Sequence, residues 1–127
     1  MRSIKSSTGH AETLRRLTAA IERRGLTMFA QVDHAAAARA VGMELPDELV
    51  VLFGNPRAGT PLMQHDPRVG IELPLRLLVW DDGQQTLIGY NDPHHLADLY
   101  DVGAQASTLE AMASLLDQLA QEAAGGG

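Results

Sequence analysis

Apolar positions recur at helical spacing near both ends of the chain and at strand spacing between them. Near the N-terminus, Leu14, Leu17 and Ile21 fall on one face with Ala20, while Arg15, Arg16, Glu22, Arg23 and Arg24 occupy the other. This pattern predicts a helix over residues 11–24. Thr8 or Gly9 can cap it, Glu12 sits at the positive end of its dipole, and Gly25 offers the left-handed residue that stops it. Towards the C-terminus, Leu109, Met112, Leu115, Leu116 and Leu119 make a second apolar stripe, with Ser107 or Thr108 as the expected cap. The chain from residue 122 onward is expected to fray.

Between these helices the period shortens. Strands are predicted at 26–32, 48–53, 75–80 and 86–91, with a short one at 4–7. Asp81-Asp82-Gly83-Gln84 reads as a hairpin turn between two of them. Asp33 can cap a short helix over the alanine run 35–40, and Gly42 ends it. Asp92 and Pro93 open another short helix running to about residue 100. Helix-forming segments flanking a run of strands predict an α+β fold of β-α-β(4)-α order. The simplest layout is a single antiparallel sheet with two long helices packed on one face. One domain over residues 1–124 is expected, followed by a disordered Gly tail, 125–127.

One central stretch, VVLFGNPRAGTPLM from Val50 to Met63, concentrates the unusual chemistry. An apolar strand stops at Gly54, and residues 54–60 read as a tight polar loop. Pro61 is then placed at the first position of one or two helical turns, with Thr60 capping them. The spacing from Gly54 to Gly59 is that of a phosphate-binding loop, but Thr60-Pro61 stands where Lys-Ser/Thr is required, which excludes that reading. The loop can hold a polar group through Asn55 and Thr60, or it can be turn chemistry alone. Asp66-Pro67 breaks the helix, and residues 70–74 read as extended or a turn.

Composition narrows the function classes. The 127 residues are 45% hydrophobic but only 4% aromatic, so the core must be aliphatic. There is no Cys, which removes disulfides, thiolate nucleophiles and Cys-bound zinc together. The formal net charge is −6, and the clustered arginines alternate with apolar positions along one helix as a solvated face would. No nucleic acid and no membrane surface is therefore expected as a partner. No apolar run approaches the ~20 residues of a membrane helix. The N-terminus, MRSIKSSTGH, lacks the apolar segment of a signal peptide, so a cytoplasmic location is expected.

Several residues could carry chemistry. Asp33 and His34 adjoin at a strand end and could form an acid/base pair, although Asp33 is also a natural helix cap and sequence neighbours usually point apart. Asp92, His95 and Asp98 share a helix face by spacing, and a solvated face is preferred there to a metal site. Trp80, the only Trp, reads as a core or interface residue before a stacking platform. No G-x-S-x-G motif is present.

Together, Asp33-His34-Ala35-Ala36, FGNPRAGTPLM at 53–63, Ile71-Glu72-Leu73-Pro74-Leu75-Arg76, Val79-Trp80-Asp81 and Tyr90-Asn91-Asp92-Pro93 resemble the domain of unknown function 302 family over nearly the whole chain. The resemblance implies a TBP-like α+β fold and a homodimer, and implies no established molecular function. In one departure, Leu99-Tyr100 stands where members of the family often carry Arg-His.

The expected function is non-catalytic binding of a small molecule or partner in a pocket at the FGNPRAGTPLM loop. Its candidate ligand-binding residues are Asp33, His34, Asn55, Thr60 and Trp80. An enzyme using Asp33 and His34, and a homodimeric interaction module, are the alternatives. No residue is assigned to catalysis or to a metal, and the cofactor, if any, is left open.

Overall fold

The computed structural model describes residues 1–125. Five strands, β1 (Arg2–Lys5), β2 (Thr27–Asp33), β3 (Glu48–Gly54), β4 (Leu75–Asp81) and β5 (Thr86–Tyr90), form one antiparallel sheet in the order β1-β5-β4-β3-β2. The helices are α1 (His10–Arg23), α2 (His34–Ala40), α3 (Pro56–His65), the short α4 (Leu96–Leu99) and α5 (Ala106–Ala124). Turns of 3₁₀ helix lie at Pro67–Glu72, Pro93–His95 and Gly103–Gln105.

Strand alternation decides which side chains meet the helices. Leu49, Val51 and Phe53 of β3, Leu77 and Val79 of β4, and Ile88 and Tyr90 of β5 are buried together with Leu17, Ala20 and Ile21 of α1 and Leu116, Leu119 and Ala120 of α5. The two long helices thus cover one face, as the element order predicts. Each fully buried Leu or Val here contributes about 1.5–3 kcal/mol relative to an exposed one. By the same alternation, the face turned away from α1 and α5 carries Val50, Leu52, Leu78, Trp80 and Leu87, all half-buried.

A second, smaller core forms at one end of the sheet from Leu62 of α3, Val69, Val102, and Leu109 and Met112 of α5. Leu75, at the start of β4, packs against both cores.

The structure departs from the sequence pattern in instructive places. Residues 54–60 are not a loop: α3 begins at Pro56, and Pro61 lies inside it. The side chain of Asn55 supplies the cap, so the helix starts a turn earlier than Thr60 and Pro61 alone indicate. Helix α5 begins at Ala106 without a side-chain cap, because a 3₁₀ turn leads directly into it in place of a Ser107 or Thr108 cap. Its C-terminal turn does not fray at residue 122. Ala123 and Ala124 are buried, Glu122 pairs with Arg23 and Arg24 of α1, and Gly125 ends the helix at φ +90°. Of the expected Gly tail, residues 126 and 127 lie outside the described residues.

Candidate functional site

The site starts with the junction of β3 and α3. The Asn55 side chain accepts a hydrogen bond from the Arg57 N–H at 2.9 Å, while its carbonyl accepts from Ala58 at 2.9 Å and Gly59 at 3.1 Å. Pro56 at the first helical position has no N–H to satisfy. The first turn of α3 is therefore closed by one residue and points its helix away from the strand end.

The far end of α3 is fixed by Asp66. Its carboxylate is buried and accepts bonds from the Arg68 backbone at 3.1 Å, from Arg68 Nε at 3.0 Å and Nη2 at 2.8 Å, and from the Asp101 N–H at 2.9 Å. The Arg68 guanidinium, followed by the Asp101 amide, holds this carboxyl well below the usual carboxylate range. Tyr100 donates to Glu72 at 2.8 Å. The Leu99-Tyr100 departure thus carries a structural bond in this chain. These contacts tie α3 and the following 3₁₀ turn to the segment that leads into α5.

Between this frame and the sheet lies a cavity of about 740 Å³. It runs along the seam between the two cores, at the end of the sheet where β3 finishes and β4 begins. Leu26, Phe29, Leu52, Met63, Leu73, Pro74, Leu75, Met112 and Leu115 make its apolar walls. Asn55, Arg57 and Thr60 of the α3 turn, and Gln105, Ser107 and Thr108 at the start of α5, contribute its polar groups. Gln105 is held in place, its amide donating to His65 Nε2 at 2.8 Å.

The structure brings together only part of the predicted pocket. Asn55 and Thr60 line the cavity; Asp33, His34 and Trp80 do not. The register supplies the reason. Asp33 pairs with Leu49 and Trp80 with Glu48, both at the start of β3, whereas Asn55 follows its end. A strand of this length separates the two ends by about 20 Å. Asp33 caps α2, accepting the Ala36 N–H at 2.9 Å, and His34 is exposed beside it. Trp80 is half-buried on the outer face of the sheet.

Other lining residues escape a linear reading. Phe29 sits at a register shift between Met28 and Ala30, a bulge that breaks the strand alternation and turns an aromatic ring towards Gly54. Leu115 and Met112 belong to the stripe of α5, whose period does not reveal that some of its members face a cavity.

A second, polar recess of about 350 Å³ lies between the chain after β5 and the middle of α5. His94 Nδ1 lies 2.7 Å from Asp92 and its Nε2 lies 2.8 Å from Glu110, so the protonated ring donates to both carboxylates, and Arg2 approaches Asp92 at 3.5 Å. Bonding to both carboxylates, Asp92 first, raises the His94 pKa. Asp92 is thus engaged with His94 and Arg2, and among the described residues no group of three or more His, Cys, Asp or Glu is placed to hold a metal ion.

Comparison with known proteins gives a consistent picture of kinship. The profile of the family described as "Domain of unknown function DUF302" matches residues 2–121. The chain is 35% identical over 125 residues to "Fluoride-specific ion channel FluC 1" of Brucella suis biovar 1 (strain 1330), covering 97% of this chain and 49% of that protein. It is also 35% identical to "Fluoride-specific ion channel FluC 2" of Brucella melitensis biotype 1, covering 46% of that protein. The chain therefore spans about half the length of the curated relatives it matches. Among solved structures, the crystal structure of an uncharacterized conserved DUF302 protein from Bacillus stearothermophilus superposes with a TM-score of 0.86 at 20% identity, covering 96% of each chain.

Proposed function

The chain belongs to the DUF302 family, and we propose that it is a non-catalytic binding domain whose small-molecule ligand occupies the cavity between α3, α5 and the sheet end. The cavity itself carries this reading. At about 740 Å³ it falls in the size range of ligand sites, and it combines apolar walls with a few convergent polar groups. Among the described residues, none that lines it is Asp, Glu, His or Lys, the side chains that most often serve as general acid or base. An enzyme built on Asp33 and His34 would have to act at the opposite end of the sheet, where Asp33 is already engaged as a cap.

Thermal shift against a panel of apolar and amphipathic compounds tests the reading, with wild type and Ala111→Trp compared. Ala111 lines the cavity from an exposed position on α5, so its enlargement fills the space from the rim. Ligands that raise the Tm of wild type and leave that of Ala111→Trp unchanged support the proposal. A panel that shifts neither protein removes it.

The outer face of the sheet supports a second reading, a homodimer. Val50, Leu78, Trp80 and Leu87 lie there together, with Val32 43% exposed at the β2 side. Apolar sheet faces left uncovered are surfaces through which chains can associate. Sedimentation equilibrium at micromolar concentration decides it: a dimer that Leu78→Glu converts to monomer fits, and a wild-type monomer refutes it.

The channel activity in the names of the Brucella proteins belongs to chains about twice as long, and is not part of this reading. Among the described residues no helix is long and apolar enough to cross a membrane.

A further inference from the structure

We infer that the ligand of this cavity is a monocarboxylate with a long apolar body, its carboxylate held at Arg57. The inference rests on the binding reading above and adds to it the chemistry of the ligand.

Three observations carry it. Among the described residues, Arg57 is the only charged one that lines the cavity. The other arginines near carboxylates are used: Arg2 meets Asp92, Arg15 and Arg16 meet Glu12, Arg23 and Arg24 meet Glu122, and Arg68 meets Asp66. Arg57, like Arg39, Arg76 and Lys5, has no such partner among the described residues, and of these four it alone lines the cavity. A guanidinium left free beside apolar walls is complementary to an anion with an apolar body.

Lining groups besides Arg57 can donate to an anion, Gln105 being set aside because its amide N–H is given to His65. The Oδ1 of Asn55 is consumed by the Arg57 N–H, which leaves its amide as a donor. Hydroxyls of Thr60 and Ser107 can donate as well. A cationic amphiphile finds no counter-ion among the described residues, none of whose carboxylates lines the cavity.

The backbone argues against phosphate. A phosphate cradle needs free N–H groups at the helix start. At the start of α3 the amides of Arg57, Ala58 and Gly59 are all bonded to Asn55. One side-chain cation and a few donors match the single charge of a carboxylate better than the higher charge of a phosphate.

Calorimetric titration with dodecanoate below its micelle concentration, dodecanol and dodecyltrimethylammonium tests this on wild type, Arg57→Gln, Arg57→Lys and Ala111→Trp. Dodecanoate is expected to bind wild type and to weaken about two- to fivefold in Arg57→Gln, the size of an exposed ion pair. Arg57→Lys should recover part of that loss, and dodecanol should bind wild type and Arg57→Gln equally. If dodecanoate affinity is the same in Arg57→Gln, or if dodecyltrimethylammonium binds wild type as tightly as dodecanoate, the carboxylate inference is overturned while the cavity reading stands. If none of the amphiphiles binds wild type, or if Ala111→Trp binds them unchanged, both are overturned. Arg57 is exposed, so circular dichroism of its variants should match wild type and keep the comparison clean.

Discussion

The indole of Trp80 occupies the space that a side chain at Gly89 would need. A Cβ at Gly89 would stand 3.0 Å from Trp80 Cζ3, 3.1 Å from Met1 Sδ and 3.2 Å from the Arg2 carbonyl oxygen. Gly89 lies in β5 between Ser3 of β1 and Leu78 of β4, so the strand is clamped on both sides and cannot easily step back. Gly89→Ala should therefore destabilise the fold by about 1–3 kcal/mol, the usual cost of overpacking. Urea denaturation measures the loss. Emission from the only Trp should move to the red as the indole is displaced towards water. An unchanged midpoint and emission would show that the added Cβ is accommodated without displacing the indole.

Asp66 ties the α3 segment to the chain before α5, and its acidity has a defined sign. Its folded-state pKa is depressed by Arg68 and the Asp101 amide. Such a group adds stability that is fully present above the unfolded value of about 3.9 and is lost as pH falls through the lower folded value. The gap in Tm between wild type and Asp66→Asn should thus be constant at neutral and mildly acidic pH and close only in strong acid. Hydrogen exchange of Asp66→Asn should be faster in α3 and at Asp101 than in α1. A Tm gap that does not change with pH would show that the pairing with Arg68 is not coupled to folding.

His94 behaves in the opposite sense. Its pKa is raised by Asp92 and Glu110, and the charged groups around it also include Arg2 and Asp117. The stability it adds is fully present below the unfolded value of about 6.5 and is lost as pH rises through the raised folded value. His94→Gln should lower the Tm in mild acid and match wild type at alkaline pH. The side chain is exposed, so the effect should be small and should shrink further in high salt. A Tm difference that persists unchanged to alkaline pH would assign the effect to packing instead.

Much of the fold could be read from local chemistry, and the site mostly could not. The stripe of Leu14, Leu17 and Ile21 with Gly25 behind it defines α1 without help from the rest of the chain, and Gly25 has the expected positive φ of 66°. Asp33 caps α2 as its position before the alanine run indicates. The hairpin at Asp81 to Gln84 turns through Gly83, at φ +95°. The start of α3 was hidden because Pro61 reads as a helix opening, while the real opening depends on how one Asn side chain folds back. The pocket was hidden for a different reason. Asp33, His34 and Trp80 look functional as residue types, but antiparallel pairing carries them to the far end of the sheet from Asn55. Phe29 and Leu115 look like ordinary core positions, and only a bulge and the offset of the second core expose them to a cavity.

Asn55 separates the structural from the functional role of the α3 turn. Asn55→Ala removes the side-chain acceptor of the Arg57 N–H and should cost about 0.5–2 kcal/mol, as lost caps do. Any loss of ligand affinity in that variant would be entangled with the loosened helix. Asn55→Asp keeps an acceptor in place at a position where Asn and Asp are about equally favoured, so its stability should stay within about 0.5 kcal/mol of wild type. It also converts a donor amide at the cavity into a carboxylate beside Arg57. If an anion binds there, Asn55→Asp should keep the Tm of wild type and bind dodecanoate more weakly, with dodecanol unaffected. Equal weakening of dodecanoate and dodecanol would mean that Asn55 shapes the cavity without sensing charge. Undiminished dodecanoate binding would place the carboxylate away from this turn.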